Sequence, residues 1–209
     1  MGAAWVNASV FAEWRGIFAI HGLVSDALAA RRSRAEIGTA LPDVEVIDLA
    51  IFVRLLERAA RASDQAGLAW TAGQSANYAT RGKVGQAVLG ARTLGAALRR
   101  LSDFYPLVQD ATSLKLEIEE DWASLNYRIL DPEIWPRHED AIYSLGIYAR
   151  LIKAAAPEAW NQIDITVEAD GIGRTAIQHI GMDDMAEVRA HHMVLRFHGD
   201  VDLVPRFRR

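Results

Sequence analysis

Histidine, serine and carboxylate side chains are the groups from which this chain of 209 residues could build a reaction centre, because it has no cysteine. That absence excludes thiol catalysis, a disulfide scaffold and cysteine-ligated zinc or iron–sulfur sites. His191 and His192 are adjacent, and on a strand they face opposite sides and cannot chelate one ion together. His192 and His198 meet only if folding brings them together, so no metal site is expected. His138, Asp140 and Ser144 are the residue types of a hydrolase, yet they fall at the start of one helix, where polar residues usually face solvent. Glu117, Glu119, Glu120 and Asp121 have the alternation of a wet hairpin face and tip, not of paired carboxylates across a cleft. Gly171-Ile172-Gly173 has neither the third spaced glycine nor the Gly-Lys-Ser/Thr of a phosphate loop, and is expected to be a turn. Neither a Gly-x-Ser-x-Gly elbow nor a His-Glu-x-x-His helix occurs. No catalytic set and no cofactor are expected.

The elements that would position such residues divide the chain in two. Helical spacing runs through Val10, Phe11, Trp14, Ile17 and Phe18, with Ser9 as N-cap and Gly22 as stop. A short helix follows from Ser25 to Ala30, and Arg31-Arg32-Ser33-Arg34 is expected to be its solvated, dipole-matched end. After the break at Pro42-Asp43, a helix from about 48 to 62 turns Leu49, Phe52, Val53, Leu56 and Ala60 inward. Arg54, Glu57, Arg58 and Arg61 take its wet side, with a Glu57–Arg61 pair worth ~0.3 kcal/mol. Gly67-Leu68 opens a short apolar segment, and Gly82 and Gly85 mark tight backbone geometry. Thr93 caps a helix through Leu94, Ala97, Leu98, Leu101 and Tyr105 that stops near Pro106. From Leu114 the pattern alternates, breaks at Glu120-Asp121 and alternates again from Trp122 to Leu130, a β-hairpin. A long helix is expected from about 137 to 156, strands at 163–167 and 193–197, and a short helix from Thr175 to Ile180. The class is α+β: a helical half, then a small antiparallel sheet packed with a long helix.

Composition agrees with a globular body. Hydrophobic residues make up 51% and the net charge is only -4, far from the disordered regime and from a whole-chain nucleic-acid binder. No run approaches the ~20 apolar residues of a membrane span, and the start lacks the flank of a signal peptide. A soluble, cytoplasmic protein is expected. On the long helix, Ala141, Leu145, Ala149 and Ile152 form one apolar stripe and Tyr143, Ile147, Leu151 and Ala154 a second, roughly 200° away. Two stripes mean a helix that is sandwiched, lines a pocket or faces a second subunit.

The order of motifs resembles a known family. Arg81-Gly82-Lys83-Val84-Gly85-Gln86-Ala87-Val88-Leu89, then Thr93-Leu94-Gly95-Ala96-Ala97-Leu98-Arg99-Arg100-Leu101, then Phe104-Tyr105-Pro106-Leu107 are similar to the middle of one N-terminal domain type. It is the arabinose-binding type found in AraC-type transcriptional regulators. Leu55-Leu56-Glu57-Arg58-Ala59-Ala60 with Gly67-Leu68 fits before them. Met193-Val194-Leu195-Arg196-Phe197 with Asp202-Leu203-Val204-Pro205 fits after them, so the resemblance covers roughly residues 10 to 207. Arg81 stands where the pattern has an acid, and Ser102-Asp103-Phe104-Tyr105 where it has a basic residue followed by tyrosine.

The resemblance implies one effector-binding and dimerisation domain over residues 1–209, with parts at 8–62, 63–113 and 114–207. The helix-turn-helix domain of such regulators is expected to be absent from this chain. DNA would be reached only through that domain, and the expected assembly is a homodimer. An effector of unknown identity would lie between the helical half and the sheet. Tyr105, Tyr127, Trp135 and Tyr143 are the candidate lining residues, and Arg81 or Arg128 would pair an effector carboxylate. Ile147 and Leu151 are the candidate dimer face. Packing aromatics and surface arginines remain the alternative at each position. A haem or gas sensor is the alternative function, since the order of elements is also similar to haem–nitric-oxide-binding domains. Their Tyr-x-Ser-x-Arg clamp is not matched at Tyr143-Ser144.

Overall fold

The computed structural model describes residues 3–33, 45–119, 122–155, 163–169, 174–178 and 190–198. Pro42-Asp43, the Glu120-Asp121 tip, Trp160, the Gly171–Gly173 turn and the Asp202–Pro205 segment lie outside the described residues. The architecture is α+β, as expected, but with two antiparallel sheets.

The helical half carries a sheet of its own. Strands β1 (Trp5–Asn7), β2 (Arg31–Ser33) and β3 (Glu45–Asp48) pair in the order β1-β3-β2. Arg31–Ser33 therefore forms an edge strand and not the helix end expected of that basic run. Three-residue strands are too short to leave an alternation in the sequence. What holds this one is its pairing with β3, where Arg31 lies opposite Ile47 and its guanidinium forms an ion pair with Glu45.

Helix α1 (Ser9–Ile20) has Ala8, not Ser9, at its N-cap, and Asn7 Oδ1 accepts from the Ser9 N–H at 2.9 Å just before it. It buries Val10, Phe11, Trp14 and Phe18, and Gly22, at φ 68°, supplies the left-handed residue that ends it. Helix α2 (Val24–Ala29) leads to β2. Helix α3 (Leu49–Ala62) is capped by Asp48 Oδ1, which accepts from Ile51 N–H at 2.9 Å. Its inward face is wider than expected, because Glu57 is buried with Leu49, Phe52, Val53, Leu55, Leu56 and Ala59. The Glu57–Arg61 pair does form, at 3.8 Å, between an enclosed acid and an exposed arginine.

Helices α4 (Leu68–Ser75), α5 (Gly82–Leu89) and α6 (Leu94–Phe104) follow, with single 3-10 turns at Tyr78–Thr80 and Tyr105–Leu107. Thr93 Oγ1 accepts from Ala96 N–H at 3.1 Å, the expected cap. Strands β4 (Thr112–Glu119) and β5 (Trp122–Ile129) form the hairpin, with Thr112 opposite Ile129 and Leu116 opposite Leu125. Helix α7 (His138–Ala155) comes next, then β6 (Ile163–Ala169), β7 (Arg174–Gln178) and β8 (Ala190–His198). The second sheet runs β4-β5-β8-β6-β7. β7 corrects the helix expected from Thr175 to Ile180. Its β-branched Thr175 and Ile177 pair with Val167 and Ile165 on β6, which suits a strand better than a helix.

Of the possible meanings of two stripes on α7, the fold shows sandwiching, together with a face that lines a small cavity. Every residue from Asp140 to Ala149 is buried, as are Leu151 and Ile152. The helix lies against α4 on one side and against β5 and β8 on the other. Contact with α4 is at backbone distance: a Cβ on Gly146 would sit 2.8 Å from the Trp70 carbonyl and 3.0 Å from Gly73 Cα. Gln74 Nε2 locks this junction by donating to the Gly146 carbonyl at 2.7 Å. Ile147 and Leu151 are thus covered within the chain itself.

Candidate ligand cavity

Where α1, α3 and α7 meet the two 3-10 turns, a cavity of about 20 Å³ opens, room for one or two waters. Val10, Phe52, Val108 and Ile147 supply its apolar wall. Its polar wall is rich for so small a space: Tyr78, Arg81, Tyr105, Gln109, Asp140, Tyr143, Ser144 and Tyr148. Asp140, Ser144, Ile147 and Tyr148 come from one face of α7, at the helical spacing i, i+4, i+7, i+8.

Arg81 occupies one end. The turn that presents it starts with Asn77 Oδ1 accepting from Ala79 N–H at 3.1 Å and ends at Gly82, whose φ of 60° favours glycine. Arg81 Nη2 donates to Glu13 Oε2 at 2.8 Å and to the Tyr143 hydroxyl at 2.9 Å. The Tyr143 hydroxyl in turn donates a short hydrogen bond to Glu13 Oε2, and its ring meets Trp14 edge-on at 5.3 Å. Burial alone would lower the Arg81 pKa, but Tyr143 and Glu13 outweigh it and hold the guanidinium charged. Burial pushes the Tyr143 and Tyr78 hydroxyls well above the ordinary tyrosine value.

Asp140 occupies the other end and is only 1% exposed. The Tyr127 hydroxyl donates a short hydrogen bond to its Oδ2 and accepts from Gln109 Nε2 at 2.9 Å. The rings of Tyr105, Tyr127 and Tyr148 pack tilted or edge-on around it, with centroids 5.9 to 6.4 Å apart. Burial raises the Asp140 pKa to about 6, against the opposing pull of the Tyr127 and Gln109 hydrogen bonds. Burial also raises Tyr105, to about 12. Two hydroxyls of the wall, Tyr78 and Tyr148, make no well-formed hydrogen bond, although that of Tyr148 lies near the Tyr105 hydroxyl.

A second polar group lies at the start of α7. His138 Nδ1 meets Glu57 Oε1 at 3.0 Å and Nε2 meets Glu139 Oε1 at 2.8 Å. Glu57 Oε1 also accepts from the Glu139 backbone N–H at 3.1 Å. Burial would lower the His138 pKa, but Glu139 and Glu57 override it and raise it to about 9. These three side chains bring metal-ligand atom types within 4.8 Å of one another. Both imidazole nitrogens already donate to carboxylates, however, so the group is an ion triad that welds α7 to α3. The same bonds keep His138 from Ser144, so the serine–histidine–aspartate set considered from the sequence is not assembled.

Of the residues chosen from the sequence, Arg81, Tyr105 and Tyr143 border the cavity, and Tyr127 backs it through Asp140. Trp135 is 51% exposed, beside the Arg137 guanidinium at 5.6 Å, and Arg128 is exposed on β5; neither is brought to the cavity. Asp140, Gln109, Tyr78, Tyr148 and Glu13 were missed. The signal for two of them was present: Asp140 and Tyr148 belong to a helical stripe that an apolar-only search passes over.

A family model described as the arabinose-binding domain of AraC transcription regulators, N-terminal, matches residues 27–176, well over half of the chain. The chain belongs to this family. All of the cavity lining except Val10 falls inside the matched segment of the AraC-type domain. No curated protein matches the chain. Among the described residues of this AraC-type domain, no helix is long and apolar enough to cross a membrane.

Proposed function

We propose that this AraC-type domain is an effector sensor, that its effector enters the cavity between α1, α3 and α7, and that the domain is regulatory and not an enzyme. One observation carries the reading: a central cavity whose wall holds two buried charges and at least two buried hydroxyls without well-formed hydrogen bonds. Buried polar groups are ordinarily satisfied, so such a wall suits a polar ligand. A ligand here touches α7, which contacts both α4 and the second sheet, so a small shift of α7 reaches both halves. The effector would bias the arrangement of a homodimer and, through it, a DNA-binding domain of the same regulator. The family's name does not choose the effector, because one fold serves many ligands.

The test is a thermal-shift screen of small polar metabolites on the wild-type protein and on Ser144→Leu, which fills the cavity. Stabilisers of the wild type are expected to lose their effect on the variant. A set of stabilisers that acts equally on both would overturn the assignment of the cavity.

A further inference from the structure

We propose that the ligand of this cavity carries a small organic ammonium group and that Asp140 is its counter-ion. The inference rests on the cavity being the sensor site and adds the charge class of what it takes. Its ground is an imbalance between the two ends. Arg81 is matched: Glu13 lies at 2.8 Å, so this end has no net charge to offer. Asp140 is not matched. Among the described residues, no Lys, Arg or His nitrogen forms an ion pair with its carboxylate. Arg137, three residues before it in the chain, directs Nη1 to the carbonyls of Ile129 and Asp131, at 3.1 and 3.0 Å. His138 and Arg61 face Glu57 and Glu139, Arg58 pairs with Asp26, Arg150 donates to the Gln74 carbonyl, and Arg54, Arg128 and Lys153 are exposed.

What remains around Asp140 is hydrogen bonding from Tyr127 and Gln109, the Arg137 charge acting without contact, and the positive end of α7, in whose first turn it lies. These do not suffice, since the carboxyl is still pushed up to about 6 by burial and by the like charge of Glu57. At neutral pH the cavity therefore holds a negative charge that no cation touches, among tyrosine rings. An ammonium group is water-sized, has three donors to share between Asp140 and the hydroxyls of the same wall, of which that of Tyr78 has no hydrogen-bond partner, and is favoured by aromatic faces. A carboxylate ligand would meet an arginine whose charge Glu13 already balances, although its Nε has no hydrogen-bond partner, and an aspartate that repels it.

Methylammonium and methanol are nearly isosteric and differ by the charge, and both match the size of the cavity. The experiment titrates the full chain with methylammonium chloride, methanol and sodium formate at constant ionic strength, followed by amide NMR shifts on α7. A ligand of two heavy atoms is limited to millimolar affinity. Methylammonium is expected to shift Asp140, Ser144 and Tyr148 at least tenfold more tightly than methanol or formate, and Asp140→Asn is expected to abolish that preference. Should Asp140→Asn fail to fold, the wild-type preference between the isosteres decides. Formate or methanol binding as tightly as methylammonium overturns the charge assignment and leaves the cavity as the sensor site. Failure of all three to shift these residues, together with an empty metabolite screen, overturns both.

Discussion

The cavity has two charged ends that the same chain treats differently. At one end Glu13, Arg81 and Tyr143 close a buried network in which the opposite charges touch. At the other end Asp140, equally enclosed, has hydrogen bonds but no cation in contact. Burying a charge is tolerable when a partner replaces the lost water and costly when none does. The first end thus behaves as structure, fixing α1 to the 3-10 turn and to α7. The second holds a deficit that a ligand can remove, which is how binding energy becomes a signal.

Removing one member of the paired end gives the largest expected effect. Glu13→Gln leaves the Arg81 guanidinium buried without its counter-charge, and a broken buried pair of this kind costs about 3–5 kcal/mol. Urea unfolding at pH 7 is expected to show that loss, and Arg81→Met the same in mirror image. A loss below about 1 kcal/mol in both would mean that solvent reaches this end and that the two ends are alike.

Removing the charge of the unpaired end is expected to act in the opposite direction. The Asp140 pKa is about 6 in the folded protein against 3.8 ordinarily. Between those values the folded protein keeps a proton that the unfolded chain has released, so stability falls as pH rises from about 4 to 6 and stays lower above. That displacement corresponds to something on the order of 3 kcal/mol. Asp140→Asn keeps an acceptor for the Tyr127 hydroxyl and discards the charge. In the absence of ligand the variant is expected to exceed the wild type in stability at pH 7.5 by on the order of 1–3 kcal/mol, with a narrower gap at pH 4.5. Urea midpoints at the two pH values measure this, and a gap that does not widen with pH would sink the account of Asp140.

Why one end was easier to read than the other follows from what periodicity records. Long periodic elements were legible: α1, α3, α6, the β4–β5 hairpin and α7 lie within two or so residues of their expected bounds. So was the resemblance, because the Thr93-Leu94-Gly95 segment is part cap and part close-packed helix start. Short strands were not, as Arg31–Ser33 and Arg174–Gln178 show, since three to five residues fit either period and pairing alone decides. Buried acids were the larger loss. Glu57 and Asp140 sit on helix faces that a polar-out rule assigns to water, and each is enclosed by a partner from a remote element: the Glu139 N–H and His138 for one, Tyr127 for the other. Arg81 and the three tyrosines 105, 127 and 143 were reachable from residue type, but that Arg81 is already paired depends on Glu13, 68 positions away.

The smallest expected effects come from the two sequence candidates that the fold places elsewhere. Arg128 follows Tyr127 on β5, so strand alternation sends it to the opposite side of the sheet from the ring that backs Asp140, and it is exposed. Arg128→Ala is expected to change stability by no more than about 0.5 kcal/mol and to leave ligand affinity unchanged. Trp135 keeps a cation–π contact with Arg137, worth ~0.5–1 kcal/mol at an exposed site. Trp135→Ala should lose that much and no ligand affinity, as measured by calorimetry with whatever effector the screen returns. A tenfold loss of affinity in Trp135→Ala would be informative in a particular way. Arg137 is bonded to the Asp131 carbonyl and sits three residues before Asp140 on the chain, so such a loss would mean that the effector reaches from the Asp140 end out to the 131–137 loop. The unpaired end would then be the mouth of the site, and the paired end its closed floor.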